Sequence, residues 1–221
     1  TVPTKTTVER SSRYSQLPEP LRSAVLAHED GQIEDAYPFY RRFVAENPKN
    51  PTALQLFGLL LSQLGQYDSA IVLMRESLSL FPDQAEVANN LGNALLKSNR
   101  IDEAIASYSE AIRIFPEYVD ALRNLGLSYL QSGQFSKALE YLERCVEIRP
   151  TDAATWLAKA NVRRQQGDLT GAITDLEKAL ELQPDYAEAH HNLGVCLRLQ
   201  HHPEKAMEHY QAALNLGMDR A

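Results

Sequence analysis

The stretch 119–152, VDALRNLGLSYLQSGQFSKALEYLERCVEIRPTD, decides the fold. Leu122, Leu125, Gly126 and Tyr129 recur at helical spacing, and Gly133 breaks the run. Phe135, Ala138, Leu139, Leu142 and Cys145 then repeat the pattern, and Pro150 ends it. Apolar residues at i, i+3, i+4 and i+7 mark an amphipathic helix. Glycine just past a helix supplies a left-handed C-terminal conformation, and proline beyond it cannot continue the helix. The stretch therefore predicts two helices of about 14 residues, each roughly 20 Å long.

The same pattern extends in both directions. Pro48, Pro82, Pro116, Pro150 and Pro184 stand 34 residues apart. Ala36, Ala70, Ala104, Ala138, Ala172 and Ala206 keep that period, as do Ala24, Gly58, Gly92, Gly126, Ala160 and Gly194. A third register holds Gly31, Gly65, Asn99, Gly133 and Gly167. An internal period of about 20–50 residues is the signature of a solenoid. Six units follow, at about 17–50, 51–84, 85–118, 119–152, 153–186 and 187–220. The small residues have no bulk to hold paired helices apart. These periodic positions are read as core rather than as a site.

These residues resemble the tetratricopeptide repeat. The family's large residue, Leu-Gly, Tyr, Gly-x-aromatic, Ala, large residue, Ala and Pro appear as Leu122, Leu125-Gly126, Tyr129, Gly133 and Phe135, Ala138, Leu142, Cys145 and Pro150. Trp156 takes the family's aromatic position in the fifth unit. The resemblance implies an all-α, right-handed superhelical solenoid of six helix-turn-helix repeats, working as a protein-interaction module. The departures are local: Pro38 lies inside a predicted helix, Pro203 replaces an aromatic residue, and Lys159 stands where the other units mostly have Leu or Phe.

Composition narrows the function. The net charge of −7 and pI near 5.4 disfavour nucleic acid, which needs Lys and Arg to neutralise phosphates, and an anionic membrane surface. No apolar run approaches the ~20 residues that span a bilayer, so no membrane insertion is expected. Cys145 and Cys196 give no disulfide framework, which points to a reducing, cytoplasmic location, and both are expected at half-buried helical positions.

Catalytic patterns are weak. His28-Glu29-Asp30 spells two ligands of an iron facial triad, but at a helix end before Gly31 it reads as a solvated turn. His190, His191, His201, His202 and His209 cluster without the spacing of a zinc helix. No catalytic residue, metal ligand or cofactor is assigned, and the chain is not read as an enzyme.

In the family the chain resembles, the first helix of each unit lines the concave face. The matching positions are Asn89, Asn90, Asn93, Arg123, Asn124, Asn161, Arg164, His191 and Asn192, all expected to be exposed. Asn-Leu-Gly recurs at Asn90, Asn124 and Asn192. Asparagine offers donors and an acceptor suited to the peptide units of an extended chain. The ladder is similar to the repeat arm of the O-linked N-acetylglucosamine transferases, where asparagines grip the backbone of bound substrates. It is interrupted by Ala158 and absent from the first two units, where Leu56 and Leu59 take its place. Either these asparagines bind a partner segment or they bond neighbouring helices and hold register. Capture of a terminal carboxylate by a Lys, Asn and Arg clamp is not expected, because Asp120, Ala154 and Glu188 occupy the basic positions.

The ends carry two expectations. Residues 1–16 are polar and Ser/Thr-rich, and read as a flexible arm. The last helix presents Met207, Tyr210, Ala213 and Leu214 with no helix after it. The natural protein is therefore expected to continue, as the recognition arm of an enzyme such as a glycosyltransferase, sulfotransferase or oxygenase, or else to self-associate weakly through this helix or assemble as a scaffold.

Overall fold

A computed structural model of the chain describes residues 16–217, so the arm predicted at 1–16 lies almost wholly outside the described residues. Among them are twelve α-helices and no strand. Consecutive helices pair into six antiparallel-reading hairpins: α1 (Glu19–Glu29) with α2 (Ile33–Glu46), α3 (Pro51–Gln63) with α4 (Tyr67–Leu80), and α5 (Ala85–Lys97) with α6 (Ile101–Ile114). The series continues with α7 (Val119–Gln131) and α8 (Phe135–Ile148), α9 (Ala153–Gln165) and α10 (Leu169–Leu182), and α11 (Ala187–Leu199) and α12 (Pro203–Asn215). The chain divides into two compact units, the first ending at Ile114 and the second beginning at Phe115. Each holds three pairs. In both units the second helix of one pair packs on the first helix of the next.

The sequence sets the helix ends. Asn50 caps α3, its side chain accepting from the Ala53 amide at 2.9 Å, with Pro51 at the first helical position. Asp168 caps α10 in the same way through the Gly171 amide at 2.9 Å. Between the helices of each pair the turn is a Schellman closure. After α7, the Gly133 amide donates to the Leu130 carbonyl at 3.0 Å and the Gln134 amide to Tyr129 at 2.8 Å. That closure needs a positive φ, which Gly133 supplies at 73°. Asn99 adopts 59° and His201 adopts 63° at the equivalent positions. His201 thus completes a register that the glycines and Asn99 begin. Pro203 is the first residue of α12, where its missing amide costs nothing. Pro38 sits inside α2, further in than a first-turn proline, and leaves the Glu34 carbonyl without its helical donor.

The first unit's core centres on Leu21, Tyr40, Leu60, Met74, Leu95 and Tyr108, all fully buried. The second centres on Leu122, Leu125, Leu142, Val162 and Leu176. Cys145 and Cys196 are completely buried rather than half-buried; the Cys145 thiol faces the Val119 carbonyl of its own repeat at 3.6 Å, and burial pushes it up to about 12.

In four of the six pairs the helices meet at a glycine, Gly58, Gly92, Gly126 or Gly194, and in the other two at Ala24 and Ala160. A Cβ on Gly92 would lie 2.5 Å from Tyr108 Cε1, and one on Gly58 would lie 3.0 Å from Met74 Cγ. The two neighbours differ in freedom. Tyr108 is fully buried and its hydroxyl donates to Asn93 Oδ1 at 2.8 Å, so the ring is held from both ends. Met74 has three rotatable bonds and can yield. Gly92→Ala is expected to destabilise by about 1–2 kcal/mol, overpacking outweighing the gain in helix propensity. Gly58→Ala is expected to be neutral or slightly stabilising. Urea denaturation of both variants checks the order.

Candidate functional site

The first helices α5, α7, α9 and α11 carry the asparagine positions. In the first unit, Asn90 is half-exposed on α5, and half-exposed Asn93 accepts the Tyr108 hydroxyl. Asn89 is buried, at 5% exposure, against the expectation that it faces solvent. The reason is geometric: α5 is covered by α4, α6 and α3, so its buried arc takes in Val87, Ala88 and Asn89 as well as Leu91 and Leu95.

In the second unit the same face is a polar network. Arg123 on α7 is half-buried; it donates to Asp152 Oδ2 at 2.6 Å and to Asp120 Oδ1 at 2.9 Å, which ties α7 to the residue at the N-terminal cap of α9. Asp152 Oδ2 also accepts the Thr155 hydroxyl at 2.6 Å. Asn124 is half-exposed beside it. On α11, the Asn192 amide donates to Asn161 Oδ1 of α9 at 3.1 Å, joining successive first helices directly. His191 is exposed, its ring 5.7 Å from that of Tyr210. Arg164 is half-buried on α9. The structure therefore brings Asn161 and Asn192 together and commits Arg123 to two carboxylates.

Sequence reasoning missed a buried ionic cluster in the fifth repeat. Lys159, 7% exposed, lies 3.5 Å from Asp175 Oδ1 and 4.9 Å from the centre of the Trp156 ring. Arg163 reaches Asp175 Oδ2 at 2.9 Å and the Gly171 carbonyl at 3.3 Å. Asp175 is 2% exposed, and burial raises its carboxyl despite the attraction of Lys159 and Arg163. Other repeats carry Leu125 and Tyr129, or Leu91 and Leu95, where this one carries Lys159 and Arg163. That double departure at i, i+4 was the available signal.

The histidines also form a pair. His190 Nδ1 lies 3.0 Å from His209 Nδ1, and His190 Nε2 donates to the Pro184 carbonyl at 3.0 Å. With its Nε2 proton so engaged, neutral His190 presents an Nδ1 lone pair, which accepts from His209. Burial, and then the neighbouring His190, push His209 below its ordinary value, against the weaker pull of Glu208 and Glu177. Among the described residues no group of three or more His, Cys, Asp or Glu side chains could hold a metal ion, and no helix is long and apolar enough to cross a membrane. On α12, Met207 is 70% exposed.

Two predictions follow from these clusters. Asp175→Leu leaves Lys159 buried without a counter-charge and is expected to cost about 3 kcal/mol. The double variant Lys159→Leu/Asp175→Leu is expected to return to within about 1 kcal/mol of the parent, since the buried pair has no desolvation left to repay and half-buried Arg163 keeps water, Asp168 and the Gly171 carbonyl. A double-mutant cycle by urea denaturation measures both. For the histidines, the folded chain holds His209 neutral, so the unfolded chain takes the proton first. Stability is then full above about pH 6.5 and falls as the pH drops below it, until the lower folded pKa is passed. The urea midpoint of the parent should therefore drop more between about pH 7.5 and 5.5 than that of His209→Gln; equal drops would place the dependence elsewhere.

Comparison with known proteins agrees with this architecture. The tetratricopeptide repeat model matches residues 52–117 and 83–151, a TPR repeat model matches 160–199, and another tetratricopeptide repeat model matches 187–219. Among solved structures the chain is similar to YrrB, described as a TPR protein with an unusual peptide-binding site. The identity is 25% and the TM-score 0.65, over 82% of this chain and 93% of that one. It also resembles PilF of Pseudomonas aeruginosa, at 18% identity and TM-score 0.77 over 95% and 94% of the two chains. MamA from Desulfovibrio magneticus RS-1 aligns at 20% identity and TM-score 0.69 over 75% and 94%. No curated protein matches the chain. The repeat period, the twelve paired helices and the matched residues together make this chain a member of the tetratricopeptide repeat family, an all-α repeat scaffold for protein–protein interaction.

Proposed function

We propose that the chain binds an extended or helical segment of a partner protein along its first helices, as a non-catalytic module. The observation that carries this reading is the recurrence of Asn-Leu-Gly at Asn90, Asn124 and Asn192, each on a first helix and each half-exposed. In these triplets the leucine and glycine are consumed by packing, since Leu91, Leu125 and Leu193 are buried and Gly92, Gly126 and Gly194 sit against the second helices. The asparagine beside them keeps part of its side chain in solvent. A side-chain amide can both donate to and accept from a peptide unit. A preformed helical face spends little on ordering itself when it binds. The peptide-binding site of YrrB, a protein of the same fold, supports the reading.

The competing role, holding register, has its own support in the Asn192–Asn161 bond. The two roles separate in one experiment. The triple variant Asn90→Ala/Asn124→Ala/Asn192→Ala is compared with the parent in capture from a source extract, with helical content followed by circular dichroism. The expected outcome is at least tenfold loss of the captured partner at unchanged helicity. Retention of the partner with a lowered melting temperature would assign the asparagines to structure.

A further inference from the structure

Most half-buried or neighbouring arginines of this acidic chain are spoken for. Arg75 and Arg100 both pair with Glu103, Arg113 pairs with Glu110, Arg123 with Asp120 and Asp152, and Arg163 with Asp175. Arg164 and Arg198 are different. They lie 34 residues apart, in the same register of the last turns of α9 and α11. Among the described residues neither makes an ion pair, and the Arg164 Nε is buried with no hydrogen-bond acceptor. The equivalent positions in the preceding repeats are Leu130 and Leu96, so this pair of cations belongs to the second unit's last two first helices alone.

A bland explanation covers half of this. A cation in the last turn of a helix meets the negative end of the helix dipole, and exposed Arg198 could serve that purpose. It does not explain why Arg164 draws an N–H out of water without giving it an acceptor, since buried polar groups in native proteins are almost always paired. Arg164 also lies one turn from Asn161, on the face where α9 is joined to α11 by the Asn161–Asn192 bond. The terminal nitrogens of the same guanidinium are not buried and have no partner among the described residues, and they fit an acceptor that a partner brings.

We propose that Arg164 and Arg198 receive two side-chain carboxylates of the bound segment, so that the second unit prefers an acidic partner sequence. This rests on the reading above, that the first helices bind a partner. A guanidinium matches a carboxylate with two parallel hydrogen bonds, which gives direction as well as charge. Packed helices lie about 8–10 Å apart, and α9 packs on α11. An extended chain advances about 3.3 Å per residue. Acidic residues three positions apart therefore span the two arginines, in the pattern acid-x-x-acid. Arg123 plays no part, because its own carboxylates already hold it.

The test uses the full chain labelled with ¹⁵N and two peptides of ten residues, acetylated and amidated, with Glu-Ser-Ser-Glu or Gln-Ser-Ser-Gln at the centre. The Arg164 Nε–H signal is assigned by its loss in Arg164→Gln. The glutamate peptide is expected to bind at least tenfold more tightly than the glutamine peptide, to move that signal, and to weaken with added salt. Arg164→Gln should abolish the preference and Arg198→Gln reduce it, whereas Arg42→Gln, an equal change of charge in the first unit, should leave it intact. Equal binding of the two peptides, or no binding of either, overturns the proposal. So does a preference that survives in both Arg164→Gln and Arg198→Gln. Binding only by a third peptide, whose sole acid is a free C-terminal carboxylate, overturns the side-chain assignment. The asparagine experiment reads out separately: a partner lost there while glutamate and glutamine peptides bind alike keeps the binding face and discards its preference for acid.

Discussion

Each repeat of this protein depends on one contact, the approach of a large side chain of the second helix to a nearly bare backbone on the first. Tyr108 lies against Gly92, Leu142 against Gly126, Met74 against Gly58 and Tyr210 against Gly194. A side chain at the glycine would have to displace the partner, so the distance between paired helices is fixed at this point. Alanines at the facing positions, Ala104, Ala138, Ala70 and Ala206, are buried to 2% exposure or less and complete the seam. Once the pair is fixed, the turn between its helices has one workable closure. The need for a positive φ there follows, and Asn99 and His201 accept it where glycine is absent. The period of 34 residues is thus the chain length that two helices, one such seam and two turns require.

The same constraint decides what a reader of the sequence can see. Positions on the seam recur with the period, so Gly92, Ala104 and Tyr108 are legible as core, and the twelve helices with them. Positions between repeats do not recur, because their surroundings depend on what the next repeat places opposite. Asn89 and Asn90 look alike in sequence, yet α4 and α6 bury the first and leave the second half in water. Asn161 and Asn192 stand 31 residues apart, not 34, so their bond joins different rungs and escapes any search by register. Arg123 looks available in the sequence, and only the fold brings Asp152 to it.

Charge follows the same division between what is satisfied inside the scaffold and what remains outside it. Glu103 is held down to about 2 chiefly by its hydrogen bonds to Arg100 and Arg75, a link between the second and third repeats. Such exposed pairs each contribute little to stability. Their larger effect is to remove several of the described arginines from the pool that could meet a partner. In a chain of net charge −7, the cations outside those pairs weigh more in recognition than their number suggests, because complementary charge governs specificity and encounter rate more than affinity.

The fifth repeat shows how far a seam tolerates exchange. Ala160 and Leu176 keep the small-against-large contact within one apolar cluster, yet the residues flanking it have become Lys159, Arg163 and Asp175. Two cations flank one carboxylate, and still burial outruns their attraction and raises the Asp175 carboxyl. For Asp175 the loss of water thus outweighs the pull of its two cations, in line with the high desolvation cost of buried ion pairs. Its members are consequently worth more to one another than to the fold. Removing Asp175 leaves Lys159 charged in a place without water, while replacing the members together with apolar side chains returns the repeat to the pattern of its neighbours.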